Sequence, residues 1–468
     1  MRHFKFALSL LAAAALVAFG GSDGDQSTKI KFSNQVVFGD SLAVVGTYND
    51  GAVQAAGGGK YTINGDNTAK NPALTGKNFT ELIAAQLSLP APCAAQTGLD
   101  GDASKGFAVP IVNNTSCFSY AQGGARVSNP VGPGNKLTGS PIGQMTTPVT
   151  TQIATHLARS GGAFKADEVV LVIAGGNDAL MLLGQLSAGA TAAGQAAGAA
   201  EGARVGNETF ATTLTVLLAA GASNPGAAAQ AVAAALMAES QRPGHTDESV
   251  VGAAVQAAAM QPGNQAVASP AVYGPMVAKA QNDAKVAGNN AGATAGAKAG
   301  AAYANENGPK MVAAMGAAGA ELATLVKTQM VGKGANYVVL NNLPDLGSSP
   351  SGKAQDANTQ ALINAMVSQF NSQLKAGTDG DAKILYVDLF TVSRDQAMNP
   401  AAYGLSNTST PACGPNAFGT TSLACNASNT IAGDVSRYMF ADDVHPTPFE
   451  NALIAKYVAE QMIVKGWL

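Results

Sequence analysis

Charged and aromatic residues are both scarce in this chain of 468 residues. Only 12% of the residues are charged and 6% are aromatic, whereas glycine occurs 54 times. The 27 basic and 30 acidic residues give a net charge of -3, and neither sign forms a strong cluster. Because nucleic acids and other polyanions are bound by concentrated basic surfaces, no nucleic-acid partner is predicted.

The N-terminus has the pattern of an export signal. Arg2 and Lys5 carry positive charge, residues 6–19 form an apolar stretch, and small residues surround Gly20. The apolar stretch is too short for a membrane span. Residues 1–20 are therefore predicted to be a signal peptide. The mature protein is predicted to be exported, periplasmic or extracellular, without a transmembrane segment.

Cysteine is limited to four residues in two local pairs: Cys93 with Cys117, and Cys413 with Cys425. Behind an export signal, this even number predicts two disulfides rather than metal ligands, and no histidine lies near either pair. Four unpaired buried cysteines are the alternative. A segment starting at Asp100 resembles the beginning of a calcium loop, but Ile111 stands where the bidentate glutamate should be. No metal site and no cofactor are predicted.

Histidine is equally scarce and occurs at positions 3, 156, 245 and 445. Only His445 has an acidic residue at a suitable offset, because Asp442 lies three positions before it. Such a carboxylate can hold one ring nitrogen and leave the other free to accept a proton from a nucleophile. His445 is therefore the candidate general base, and Asp443 is a second acidic neighbour.

The candidate nucleophile is Ser41, near the other end of the chain. Residues 36–38 form a short apolar run that Gly39 breaks, and this pattern predicts a buried strand ending just before the serine. Open α/β sheets place their active sites at this carboxyl edge. The alternative role for Ser41 is a helix N-cap.

Four separated blocks resemble the GDSL, or SGNH, hydrolase superfamily and its lecithinase-like group of lipases and esterases. In chain order these blocks are residues 38–42, 120–125, 175–178 and 442–446. The resemblance implies a triad of Ser41, His445 and Asp442. The family spacing between acid and histidine selects Asp442 over Asp443. A small-molecule or lipid ester is the implied substrate, and no cofactor is implied.

Three amide groups are expected to stabilise the oxyanion that forms during ester hydrolysis. The backbone amides of Ser41 and Gly123 and the side-chain amide of Asn177 each follow a predicted strand, so they can meet at one sheet edge. Gly124 is the alternative to Gly123 if the family block is shifted by one residue. A turn residue is the alternative role for Asn177.

Strands and helices alternate along most of the chain. After the first strand, further strands are predicted at residues 117–121, 168–174, 336–341 and 384–388. Helices are predicted at residues 79–87, 152–159, 310–330, 355–374 and 448–462. This order implies a parallel sheet covered by helices, and the resemblance specifies a flavodoxin-like three-layer sandwich with a five-stranded parallel sheet. The SGNH hydrolase core is assigned to residues 29–183 and 309–468.

Residues 184–308 interrupt the alternation and consist largely of alanine and glycine. Glycine recurs at every fourth position in two ladders: residues 194, 198, 202 and 206, and residues 288, 292, 296 and 300. This spacing keeps each ladder on one helical face. Each glycine costs a helix about 1 kcal/mol relative to alanine, which implies a gain from close helix packing. We predict an Ala/Gly-rich helical insertion, a possible cap, with a partly disordered segment as the alternative.

Together these patterns predict an exported serine hydrolase that cleaves carboxylic esters. Two alternatives stay open. One is a carbohydrate acetylesterase of the same superfamily. The other is a surface binding or adhesion protein in which the insertion is the functional part.

Overall fold

The computed structural model of the protein describes residues 30–65 and 72–468. The predicted signal peptide lies outside these residues. The described chain separates into two compact units. The core unit contains the described residues up to Leu183 together with Lys310–Leu468, and the insertion unit is Gly184–Pro309.

The described residues form six strands, which build one parallel sheet and one hairpin. Their bounds are β1 (Asn34–Gly39), β2 (Gln96–Asp100), β3 (Ala108–Asn113), β4 (Glu168–Ile173), β5 (Tyr337–Asn341) and β6 (Ile384–Val387). The parallel sheet has the order β1-β4-β5-β6, and β2 pairs with β3 in the antiparallel direction. Every residue of β4 is buried. Its continuous apolar run is typical of a strand that is covered on both faces.

Eleven α-helices accompany these strands in the described residues. They are α1 (Gly51–Ala55), α2 (Phe79–Gln86), α3 (Val149–Arg159), α4 (Gly176–Ala219), α5 (Pro225–Ser240), α6 (Asp247–Ala259), α7 (Pro270–Leu325), α8 (Pro350–Lys353), α9 (Ala357–Thr378), α10 (Leu389–Met398) and α11 (Pro448–Lys465). Local sequence sets their ends. Thr447 caps α11 by accepting from Glu450 N, Pro448 occupies its first position, and Gly466 ends it in the left-handed conformation.

Helices cover both faces of the parallel sheet. Because successive strand residues point to opposite faces, β1 and β4 contribute to two separate clusters. Phe38 and Val172 pack in one cluster with residues of α3, α7 and α9. Val37 and Leu171 pack in the other with residues of α2, α10 and α11. The predicted α/β class with a parallel, helix-covered sheet is confirmed.

The parallel sheet has four strands in the described residues, so the predicted five-stranded sheet is wrong in strand number. The predicted strand at residues 117–121 forms only isolated bridges, one of which pairs Ser119 with Val37. Two backbone hydrogen bonds join this segment to β1, from Val37 N to Phe118 O (3.0 Å) and from Tyr120 N to Val37 O (2.8 Å). The segment lies at the outer edge of β1 but contacts it over too few residues to form a ladder.

The insertion unit is helical and has its own core. It contains α5, α6 and most of α4 and α7. Leu214, Leu218, Val232 and Leu236 are buried in one cluster within this unit. None of the helices formed by the described residues combines the length and the apolar character that crossing a membrane requires.

The two glycine ladders face each other within the insertion unit. A Cβ atom at Gly198 of α4 would lie 2.8 Å from the carbonyl oxygen of Gly292 of α7, and the reverse distance is 2.7 Å. Gly194 and Gly296 have the same relation at 2.9 Å. Only hydrogen fits in these gaps, and so glycine at every fourth position is what lets the two backbones approach.

Candidate active site

Ser41 lies at the carboxyl end of strand β1, separated from its last residue, Gly39, by Asp40. Gly39, with φ +156, passes so close to β4 that a Cβ atom there would lie 2.3 Å from the carbonyl oxygen of Ile173. The side chain of Gln152 donates to the carbonyl of Gly39 and accepts from its amide, both at 2.8 Å. The end of the strand is therefore fixed from two sides, and the serine leaves it in a defined direction.

Asp40 supports the turn that presents Ser41. Its Oδ1 accepts from Leu42 N at 3.1 Å and caps the short 3-10 helix Ser41–Ala43. Burial raises the pKa of Asp40 to about 7, although the Leu42 hydrogen bond and the charge of His445 oppose this shift. The turn beside the serine therefore contains a carboxyl group that changes its charge near neutral pH.

His445 connects Ser41 to Asp442. Its Nε2 lies 2.8 Å from Ser41 Oγ, and its Nδ1 lies 2.8 Å from each carboxylate oxygen of Asp442. A carboxylate accepts only, so we assign the ring proton to Nδ1. Nε2 is then the acceptor that faces the serine hydroxyl, which is the arrangement a serine nucleophile requires.

Asp442 is buried and receives hydrogen bonds on both oxygens. Oδ1 accepts from the amides of Val444 (3.0 Å) and His445 (2.8 Å), and Oδ2 accepts from the amide of Ser422 (2.7 Å). Burial alone would raise the pKa of Asp442, but the charge of His445 and these hydrogen bonds hold it well below its usual range. The carboxyl is thus ionised at neutral pH. Asp443, the competing acid, is exposed.

The predicted oxyanion donors include two backbone amides near the nucleophile. In the part of the chain that the structure describes, the amides of Ser41 and Gly123 donate to no acceptor, and the same is true of Gly124. The block that carries both glycines is joined to the end of β1 by a bond from Gln122 N to Gly39 O (3.1 Å). These amides therefore have no acceptor among the described residues, and the choice between Gly123 and Gly124 stays open.

Asn177 lies in the first turn of α4, after the buried strand β4. Its Nδ2 donates to Ala125 O at 2.9 Å, which fixes the side chain and uses one of its two hydrogens. The next residue, Asp178, pairs with Arg126 at 2.8 Å and accepts from Val127 N at 3.0 Å. Burial raises the pKa of Asp178 although Arg126 opposes the shift. These contacts join the third family block to the second.

Two residues beside His445 and Asp442 were not identified from the sequence. The ring of Tyr61 packs on the imidazole of His445 with 4.7 Å between centroids and 33° between planes. Ser422 supplies the backbone amide that reaches Asp442. No motif marks Tyr61, and the one sequence signal near Ser422 is its place between Cys413 and Cys425.

All four cysteines form disulfides, in the pairing predicted from the sequence: Cys93 with Cys117 and Cys413 with Cys425. Free buried cysteines, the alternative, are therefore excluded. Among residues 30–65 and 72–468, no three His, Cys, Asp or Glu side chains are grouped as metal ligands.

Comparison with known proteins supports the family assignment. Residues 281–458 match the family model for the GDSL-like lipase/acylhydrolase. This segment includes Asp442 and His445, whereas Ser41, Gly123 and Asn177 lie outside it.

Parts of this chain are also similar to curated proteins from Arabidopsis thaliana. A GDSL esterase/lipase is 26% identical over 147 residues, which cover 29% of this chain and 40% of the relative. The anther-specific proline-rich protein APG is 27% identical over 142 residues, 29% of this chain and 27% of its own length. GDSL esterase/lipase 7 is 33% identical over 133 residues, 26% of this chain and 36% of its own length.

The matched segments span less than half the length of each of these relatives. Together with the family model they support placing the chain in the GDSL/SGNH hydrolase superfamily. The resemblance predicted from the four sequence blocks is confirmed at this level.

Proposed function

We propose that this protein is an exported serine hydrolase that cleaves carboxylic esters with Ser41, His445 and Asp442. The observation that carries the proposal is the continuous chain of hydrogen bonds from Ser41 Oγ through the imidazole to Asp442, with each contact at 2.8 Å. A buried acid, an oriented histidine and a serine at a sheet edge form the unit that activates a hydroxyl group for attack. The GDSL esterase/lipase relatives favour an ester as substrate.

The proposed reaction has two stages. Ser41 Oγ attacks the ester carbonyl while its proton passes to His445 Nε2, and the same proton then goes to the departing alcohol. Water attacks the resulting acyl-serine, with His445 again as the base, and the carboxylic acid is released. In both stages the oxyanion accepts hydrogen bonds from the amides of Ser41, Gly123 and Asn177.

Export is part of the proposal. The N-terminal pattern predicts a signal peptide, and two disulfides are consistent with an oxidising compartment. Mass analysis of the mature N-terminus after expression in a secreting host tests this part. An N-terminus that retains residues 1–20 would contradict it.

The first test of the catalytic proposal is labelling with a fluorophosphonate, together with hydrolysis of p-nitrophenyl esters. We expect Ser41→Ala to abolish labelling, and both Ser41→Ala and His445→Ala to lower kcat by about 10³- to 10⁶-fold. Asn177→Ala should lower kcat by about 10²- to 10³-fold, as for one lost oxyanion donor. Activity of Ser41→Ala near that of the wild type would refute the mechanism. Failure of the wild type to label would favour the binding-protein alternative.

Asp442 and Asp443 provide a matched pair of variants. Asp442→Asn should lower kcat by about 10⁴-fold, because the amide no longer holds the correct histidine tautomer. Asp443→Asn should leave kcat unchanged, since its side chain is exposed. The reverse result would reassign the triad acid.

Substrate class is tested with three kinds of ester: p-nitrophenyl esters of increasing acyl length, a phospholipid and an acetylated sugar. Turnover of the first two kinds supports a lipase-like esterase. Selective turnover of the acetylated sugar would support a carbohydrate acetylesterase instead.

A further inference from the structure

The Cys413–Cys425 disulfide closes a loop, here called the 413–425 loop. This loop contacts the side chain of Asp442. Its residue Ser422 donates its amide to Asp442 Oδ2 at 2.7 Å. The other two backbone donors to this carboxylate, Val444 and His445, lie within three positions of it and both bind Oδ1. Ser422 is therefore the donor that reaches the carboxylate from a separate part of the chain.

The C-terminal end of the 413–425 loop is fixed by several backbone contacts. Ser422 and Cys425 are fully buried, and their carbonyl oxygens accept from the Asn64 side chain at 3.2 and 3.1 Å. Asn64 N donates to Cys425 O at 2.7 Å, and Gly59 N donates to Leu423 O at 2.9 Å. This end of the loop is therefore held against the segment that includes Tyr61.

The other end of the 413–425 loop is fixed beside the acid itself. Cys413 N donates to Ala441 O at 2.8 Å, and Ala441 is the residue that precedes Asp442. Ala441 N in turn donates to His445 O at 2.7 Å. The disulfide thus links Cys413, which is hydrogen-bonded to the residue before Asp442, to Cys425 at the end of the short 3-10 helix Ser422–Ala424. This helix contains the Ser422 amide that binds Asp442.

We propose that Ser422 is a positioning residue for the triad acid, and that the Cys413–Cys425 disulfide keeps its amide on Asp442. This inference rests on the proposed function. The carboxylate can hold the imidazole at one angle only if both of its own oxygens are fixed. Without the Ser422 amide, Oδ2 keeps only the histidine as partner, and the orientation of the buried carboxylate is restrained on its Oδ1 side alone. Ser41 would then face a base that is less often in line with its hydroxyl.

A proline substitution removes this donor. Ser422 is the first residue of its 3-10 helix, a position that accepts proline, and the preceding Thr421 has φ -69 and ψ 138, the extended conformation that a following proline requires. Ser422→Pro therefore removes the amide hydrogen and places the ring Cδ in its position, so Asp442 Oδ2 loses this donor and must also move away from its 2.7 Å contact with the nitrogen. Ser422→Ala keeps the amide and removes the buried side-chain hydroxyl.

We expect Ser422→Pro to lower kcat on p-nitrophenyl esters by about 10- to 100-fold with KM little changed. Ser422→Ala, the conservative variant, should retain the amide and with it most of the activity. Thermal unfolding of both variants shows whether the fold is equally preserved. Equal kcat values for the two variants would overturn the role of Ser422.

The disulfide is tested with a matched pair of double variants. Cys413→Ala/Cys425→Ala opens a loop with a sequence separation of 12, and Cys93→Ala/Cys117→Ala opens one with a separation of 24. Only the first pair is bonded to the segment that carries Asp442. Assayed well below both unfolding transitions, only Cys413→Ala/Cys425→Ala should show the fall in kcat. Equal effects of the two double variants would overturn the role of the disulfide.

The same assays separate this inference from the proposed function. If the wild type neither hydrolyses esters nor reacts with a fluorophosphonate, the proposed function fails. If the wild type does both and the Ser422 and cysteine variants match their controls, only the positioning role fails. If Ser422→Pro does not fold, the double cysteine variants still decide whether the 413–425 loop acts on kcat.

Discussion

Tyr61 contacts the candidate base and the glycine block at the same time. Its ring packs on His445, and its hydroxyl accepts a hydrogen bond from the Nε2 of Gln144. A Cβ atom on Gly123 would lie 2.4 Å from this hydroxyl oxygen, so the tyrosine also excludes any larger residue there. The buried ring limits rotation of the imidazole, which places Tyr61 among the groups that orient the base.

We expect Tyr61→Leu to lower kcat by about 10-fold or more, because the ring face that restrains His445 is lost. Tyr61→Phe keeps that face and should keep most of kcat. Tyr61→Phe should instead lower the free energy of unfolding by about 1–3 kcal/mol, because Gln144 Nε2 is left buried without an acceptor. Phe79→Leu, which trims a buried aromatic ring in α2, is the control for lost packing. If Phe79→Leu lowers kcat as much as Tyr61→Leu, the effect is one of general packing.

His156 is a buried histidine outside the candidate site. Its ring packs against Phe164 with 4.5 Å between centroids, and Nδ1 lies 3.3 Å from the hydroxyl of Tyr120. Burial lowers the pKa of His156 to about 4, and the charges of Arg159 and Lys165 act in the same direction. The histidine therefore stays neutral in the folded protein at pH values where it would be charged in the unfolded chain.

This difference predicts a loss of stability in acid. Between pH 6.5 and about 4 the unfolded chain binds a proton at His156 that the folded chain does not, so the free energy of unfolding falls as the pH is lowered. The full contribution is on the order of 3 kcal/mol. The change in the free energy of unfolding between pH 7 and pH 4.5 is measured by urea unfolding. The signal is the fluorescence of Trp467, the only tryptophan. His156→Phe should lose less stability over this interval than the wild type, and the exposed His245→Gln should match the wild type.

At the residue scale, the sequence could name groups whose geometry is local. Asp442 and His445 lie three positions apart in one short loop, so their sequence spacing alone predicts that the two side chains are in contact. Ser41 could be identified because the end of a buried strand is visible as an apolar run. Tyr61 could not, since its contact with His445 depends on how distant segments pack. Ser422 acts through a backbone amide, which every residue except proline has, and no side chain marks it.

At the scale of elements, apolar strand runs were the most informative signal. The strands predicted at residues 168–174, 336–341 and 384–388 correspond to β4, β5 and β6 within one residue at each end. Each is rich in valine, leucine or isoleucine and is bounded by polar residues or turns. The hairpin of β2 and β3 was missed, because β2 contains one large apolar residue and a glycine.

Helix bounds were least predictable where alanine and glycine dominate. The helix predicted at residues 310–330 and the helical second glycine ladder were predicted as separate elements, whereas α7 is one helix that begins at Pro270 and runs through the ladder to Leu325. An Ala/Gly sequence has no apolar period, so its helical character depends on packing against a partner. The glycine spacing predicted close packing, and the partner is the first ladder on α4.

Two glycines of α4 should respond in opposite ways to the same substitution. At Gly198 a Cβ atom would lie 2.8 Å from the carbonyl oxygen of Gly292, whereas at Gly184 it would meet nothing within 4 Å. Gly184→Ala should therefore stabilise the protein by about 0.5–1 kcal/mol, through the smaller entropy of the unfolded chain. Gly198→Ala should destabilise it by about 1–3 kcal/mol, because the two helices must separate. Thermal unfolding by far-UV circular dichroism measures both, and stabilisation by Gly198→Ala would contradict close ladder packing.

At the scale of the whole molecule, the two units bury separate cores. The clusters on the two faces of the parallel sheet contain no residue of Gly184–Pro309. The insertion unit buries its own apolar residues, among them Leu214 and Leu218. At one end of the ladders, a Cβ atom on Gly189 would lie 2.3 Å from the hydroxyl oxygen of Tyr303. Helices α4 and α7 are thus adjacent there, and a short turn can join them.

Replacing residues 190–302 with a short Gly/Asn turn should therefore leave the core unit folded. We expect the fluorescence transition of Trp467 to be preserved and Ser41 to react with a small fluorophosphonate as in the wild type, because no contact in either sheet cluster is removed. Loss of the fluorescence transition would contradict the independence of the two cores.

The same variant tests the cap predicted from the sequence. A cap selects substrates by limiting which acyl chains reach the serine, so its removal should change relative rates across p-nitrophenyl esters of increasing length. An unchanged profile with full reactivity of Ser41 would show that the insertion does not select the acyl chain, and would assign it a role apart from the hydrolase chemistry.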